Sequence, residues 1–153
     1  MNFMRKENLS LFLRWVLEAV FVAGILFLIF LNHLLASYYL WYFGGFNMFY
    51  KSMAILLYIA GLDGLVIIRL LIGLFNDIHR QNPFVIKNAN RLKYIAICCF
   101  VACAAFLIHC FMYPSVFRAM VTFVIFIAAL ACLVVSQLFQ QAVGYKSEND
   151  LTV

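Results

Sequence analysis

Long apolar runs broken by short polar ones organise this chain. Four runs stand out, from about Leu9 to Ala36, Met53 to Leu74, Tyr94 to Tyr113 and Phe117 to Phe139. A helix needs about 20 apolar residues to cross the hydrocarbon of a bilayer, and each run reaches that length. In lipid, a helix satisfies every backbone N–H and C=O within itself. The pattern therefore predicts an all-α integral membrane protein, an antiparallel bundle of four transmembrane helices in one domain, residues 1–153.

The polar interruptions differ in kind. Between the first two runs lies SYYLWYFGGFNMFYK, whose rings suit the membrane–water interface, with Gly44-Gly45 marking a turn. Between the last two is YPSVF, a tight turn around Pro114. Between the middle two is a basic connection, 76–93, whose core RQNPFVIKNANRLK contrasts with its apolar flanks. There Asn82 can cap a helix and Pro83 fits its first turn. No breaker follows, so one helix is expected from about Pro83 to Tyr113, roughly 45 Å long. Its first turns should lie at the membrane face, with Phe84 and Ile86 dipping in and Lys87, Arg91 and Lys93 among headgroups. The last stretch, 140–153, is polar; Gly144 is expected to end the fourth helix, leaving a tail that frays or adds to a partner as a strand.

Composition agrees. The chain of 153 residues is 67% hydrophobic and 11% charged, against about 25% charged in soluble domains. Its first apolar run is too long for the core of a cleavable signal. The net charge of +5 would raise nucleic acid as a partner in a soluble protein. Here the basic residues flank apolar spans, so direct nucleic-acid binding is not expected and lipid headgroups account for them. Nine basic residues, Arg5, Lys6, Arg14, Arg69, Arg80, Lys87, Arg91, Lys93 and Lys146, fall on the side shared by both termini, against Lys51 and Arg118 opposite. By the positive-inside rule both termini and the 76–93 connection are expected to be cytoplasmic.

Charges inside the spans are the first candidates for function, because they are costly there. Glu18 and Arg69 fall at matching depths on adjacent antiparallel helices, and an ion pair is expected, with Arg14 one turn away. Asp63, near the middle of its span, has no basic residue at its depth and is read either as a hydrogen-bonded packing group or as a proton- or cation-responsive switch. Gly61 and Gly64 beside it suit close approach of another helix at Ala19, Ala23 or Gly24. His33 and His109 show no metal-ligand spacing, and five cysteines inside apolar runs form no Cys-x-x-Cys pair. No phosphate loop, catalytic triad or dinucleotide fingerprint appears, so no enzyme, cofactor or metal is expected.

Pro83-Phe84, Asn88 and Arg91-Leu92, together with the ending SENDLTV, carry a resemblance. They resemble the signatures of a family of small bacterial four-span membrane proteins of unknown function, over nearly the whole chain. Lys87 stands where that pattern has an acidic residue, and FQQAV replaces a more basic stretch. The resemblance implies a bacterial inner-membrane protein encoded beside a Cro-type helix-turn-helix regulator. Pro83, Phe84, Asn88, Arg91, Leu92, Glu148, Asn149 and Asp150 are then candidates for contact with a cytoplasmic partner. A regulatory or sensory role is the leading expectation. Two others stay open: a small proton-coupled transporter using Glu18 with Trp15, Phe21 and Tyr58 as an aromatic cage, and an accessory subunit of a larger membrane complex. A second copy of the chain is a further candidate partner.

Overall fold

The structure, a computed structural model, describes the backbone of residues 3–43, 48–79 and 85–151, with side chains over 11–41, 50–78, 85–146 and at Glu148. The described residues form four helices: α1 (Phe3–Phe43), α2 (Met48–His79), α3 (Ile86–Met112) and α4 (Val116–Leu151). Each contains a stretch long and apolar enough to cross a membrane: Leu11–Trp41, Tyr50–Ile78, Ile86–Met112 and Val116–Lys146.

The helices alternate in direction. Along α1 and α2, Asn32 meets Tyr50, Gly24 meets Leu65, and Arg14 meets Asn76, so numbering rises in one as it falls in the other. Likewise Ala89 faces Ser136 and Cys103 faces Thr122 between α3 and α4. Each helix packs closely on the next in sequence; among the described residues no close backbone approach joins α1 to α4. The antiparallel bundle is thus an open array. Lipid can cover what a water-soluble bundle would have to close over, because tails are as apolar as leucine.

Small residues set the helix spacing. A Cβ added at Gly24 would lie 2.9 Å from Leu65 Cδ2, and one at Gly61 would collide with Leu28. Gly64 faces open space, while Ala19 and Ala23 are exposed, so of the small residues expected to form the α1–α2 contact Gly61 and Gly24 carry it. Between α3 and α4, Ala89, Ala96 and Ala129 are fully buried. Their lack of bulk lets Ser136 Oγ donate to the Ala89 carbonyl at 2.8 Å. Hydrogen bonds between membrane helices average about 0.6 kcal/mol. Ser136→Ala should therefore cost well under ~1.5 kcal/mol in denaturant titration of the micellar protein.

Three boundaries depart from the sequence reading. Helix α1 continues through Ser37–Phe43, making the aromatic stretch its last two turns; Gly44-Gly45 lies outside the described residues. Tyr39 is buried there, edge-on to Tyr50, whose hydroxyl donates to Asn32 Oδ1 at 2.8 Å, while Trp41 stays 80% exposed as an interfacial ring does. Helix α3 begins at Ile86, not Pro83. Val85 is extended, with φ −123° and ψ 143°, and the Asn88 amide donates to its carbonyl. Asn82, Pro83 and Phe84 lie outside the described residues. Helix α4 does not stop at Gly144 but runs on to Leu151. A lone glycine costs a helix only about 1 kcal/mol, and no proline follows to break it. The turn at Pro114 is as expected: the Tyr113 amide on the His109 carbonyl ends α3, and the Ala119 amide on the Ser115 carbonyl opens α4.

Candidate functional site

The polar side chains gather at one end of the array, where α2 gives way to α3. They form two linked groups. The first holds the α2–α3 hairpin. Arg91 NH1 donates to Asp77 Oδ2 at 2.6 Å and to Asn88 Oδ1 at 2.8 Å. Asn88, three residues before Arg91, lies on the same helix face and is fully buried. The pair is largely enclosed, with 16% of the Arg91 side chain and 22% of Asp77 exposed. Gly73 makes room: a Cβ there would stand 2.9 Å from Arg91 Cζ. Leu92 and Ile95 on α3 and Leu74 on α2 form the apolar core beside this group, joined by Cys132 and Phe139 of α4.

The second group lies between α1 and α2. Arg14 Nε donates to Glu18 Oε1 at 3.0 Å, one helical turn along α1. Arg14 NH1 also reaches Asn76 Oδ1 on α2 at 3.4 Å. A cavity of about 330 Å³ opens here, and Arg14, Glu18, Arg69, Asn76 and Arg91 supply its polar wall. Depth counted along each helix agrees. Taking Leu11–Trp41 and Tyr50–Ile78 as centred in the bilayer, Glu18 and Arg69 lie roughly 12 Å and 8 Å from the midplane, and Arg14 and Asn76 roughly 18 Å. The cavity straddles the hydrocarbon edge, at roughly 15 Å.

The expected ion pair between Glu18 and Arg69 is not made. Both line the same cavity, so their depths were matched correctly. Glu18 is held by Arg14, whose i,i+4 position needs no contact between helices. Arg69 is exposed, and no carboxylate lies within ion-pair distance of it among the described residues. The aromatic cage also fails to assemble: Trp15 is 70% exposed, and neither it, Phe21 nor Tyr58 lines the cavity.

Asp63 sits within one residue of the centre of its span and lies close to Cys98, which is equally central in α3. His33 is exposed; His109 is buried, with Nδ1 3.1 Å from Arg118 NH1, tying the opposite ends of α3 and α4. Among the described residues no three His, Cys, Asp or Glu side chains gather as metal ligands would. A larger cavity of about 640 Å³ between α3 and α4, walled by Cys103, Phe111, Phe123 and Phe126, is almost wholly apolar.

The residues of the connection signature turn inward. Asn88 is fully buried and Leu92 is 9% exposed. Arg91 points at Asp77 instead of at headgroups; Lys87 and Lys93 are the exposed cations of that turn. Asn88, Arg91 and Leu92 thus anchor the hairpin, and a partner could not touch Asn88 or Leu92 without opening it. Pro83 and Phe84 lie outside the described residues, as do the side chains of Asn149 and Asp150; Glu148 is exposed on α4. Sequence reading missed Asp77, Asn76 and Gly73. The signal was present: Asp77 stands two residues before the end of α2 and Arg91 five residues after the start of α3, an offset of roughly 5 Å that a long arginine side chain can span.

No curated protein and no solved structure matches this chain. A family model described as Protein of unknown function (DUF2975) matches residues 12–153. With four membrane-length helices and that match over nearly its whole length, the chain belongs to the DUF2975 family.

Proposed function

We propose that this multi-pass membrane protein is an inner-membrane partner of a soluble regulator, displaying the end of α4 to the cytoplasm. The observation that carries the reading is the length of α4. Ser136 is level with Ala89, only three residues from the start of α3, yet α4 continues to Leu151. It therefore overshoots α3 by roughly 18 Å at 1.5 Å per residue. Tyr145, Lys146 and Glu148 are exposed on this projection. A helix that only crossed the bilayer would have no need of it. The excess of basic residues at the same end supports a cytoplasmic position. The partner in this reading is a helix-turn-helix regulator, the kind that the family resemblance implies. Its contacts are Glu148, Asn149 and Asp150 with the exposed cations Lys87 and Lys93, while Asn88, Arg91 and Leu92 keep the hairpin beneath them in place.

Crosslinked pull-down in mild detergent tests the reading, with the intact chain set against one lacking residues 148–153. A soluble DNA-binding protein should be recovered with the intact chain and lost with the shortened one. Recovery with neither, or equally with both, sinks the proposal.

A further inference from the structure

The cavity between α1 and α2 has surplus positive charge and straddles the hydrocarbon edge. Arg14, Arg69 and Arg91 line it together with Glu18, and Asp77 pairs with Arg91 at its edge. Three guanidinium groups against two carboxylates leave one positive charge over. Arginine keeps its charge at any ordinary pH and carries five N–H donors. Arg14 spends two on Glu18 and Asn76, whereas Arg69 has no carboxylate partner among the described residues. Arg69 lies inside the hydrocarbon edge, so its guanidinium must extend toward that edge and needs an anion or water to offset its cost.

A second feature leads to the same residue. On α2, Ile55, Ile59, Leu62 and Val66 are 62%, 41%, 59% and 50% exposed. Spaced alternately four and three residues apart, they make one lipid-facing stripe, and the next position in that series is Arg69. An acyl chain lying along the stripe places its headgroup at the mouth of the cavity.

We propose that this cavity is a phosphate site, with Arg69 and Arg14 as donors and the headgroup of an anionic lipid as ligand. Planar guanidinium forks suit phosphate oxygens two at a time. The charge balance favours a phosphodiester with one negative charge: a doubly charged free phosphate would face Glu18 with too little positive charge to match. The stripe favours a ligand with a tail. The cavity is therefore a lipid-selective contact, distinct from the projecting end of α4.

The test uses the full chain in nanodiscs of phosphatidylcholine containing graded phosphatidylglycerol, with retained lipid counted by native mass spectrometry. Arg69→Gln should lower the preference for phosphatidylglycerol about tenfold, the worth of a charged hydrogen bond near the interface. Lys87→Gln, which removes an exposed charge at the same end but no donor of the cavity, should change it clearly less than Arg69→Gln does. Arg69→Lys keeps the charge without the fork and should fall between wild type and Arg69→Gln. In a parallel arm, inorganic phosphate is added to pure phosphatidylcholine discs and thermal unfolding is followed. Stabilisation there that depends on Arg69, without any preference for phosphatidylglycerol, would keep the phosphate site and overturn its lipid source. Equal behaviour of wild type and Arg69→Gln in both arms overturns the site itself, and so does an equal loss in Lys87→Gln. Arg69 is exposed and outside the Asp77–Arg91 pair, so its variants should keep wild-type helicity and elution volume.

Discussion

Arg91→Ala should lower the unfolding free energy by about 3 kcal/mol in mixed-micelle denaturation, a large share of the stability of a small domain. The reason is what the arginine leaves behind. Asp77 would keep a carboxylate only 22% exposed with no counter-charge, and fully buried Asn88 would lose the guanidinium donor to its Oδ1. Breaking a buried pair by removing one partner commonly costs about 3–5 kcal/mol, and the residual exposure of both side chains places this one at the lower end. Removing both charges should do less harm. Asp77→Asn combined with Arg91→Leu should recover more than half of the loss, since no unpaired charge remains. If the double variant is as unstable as Arg91→Ala, packing of the arginine stem, and not the ion pair, holds the hairpin.

Gly73→Val should cost about 2 kcal/mol, and its cost should depend on Arg91. An added Cβ meets the guanidinium at 2.9–3.0 Å. The end of a free arginine would swing aside cheaply. This one is fixed by Asp77 and Asn88, so relief of the clash means loss of those bonds. In the Arg91→Ala background the same valine should be close to neutral. The coupling between the two sites, read as a double-mutant cycle, should exceed about 1 kcal/mol. Additive effects would show that valine acts on the helix α2 backbone alone.

Both substitutions bear on how the α2–α3 connection works. Asn88, Arg91 and Leu92 stand near the start of a membrane-length helix, a place that suggests a contact surface. Their side chains instead close the hairpin from within, and among the described residues Lys87 and Lys93 are exposed cations at the start of α3. An outward-facing signature and an inward-facing one read alike in sequence, because a polar residue near a helix start suits both settings.

Residence in a bilayer, the number of crossings and the residues that are costly there were all legible in the chain before any fold was known. Those properties follow from local composition: about 20 apolar residues in a row have no other stable setting. The depth of each charge was legible for the same reason, since helical rise is nearly constant, and Glu18 and Arg69 do reach one cavity. The partners of those charges came from packing. Rotation of each helix about its axis is invisible to a count along the chain, and it sent Arg91 to Asp77 and Asp63 toward α3, leaving Arg69 facing lipid and Glu18 with its own-helix neighbour Arg14. Where α4 ends was also beyond reach of composition. Gly144 marks a weak point in a helix, and only the continued helical path through it made α4 long enough to project from the array.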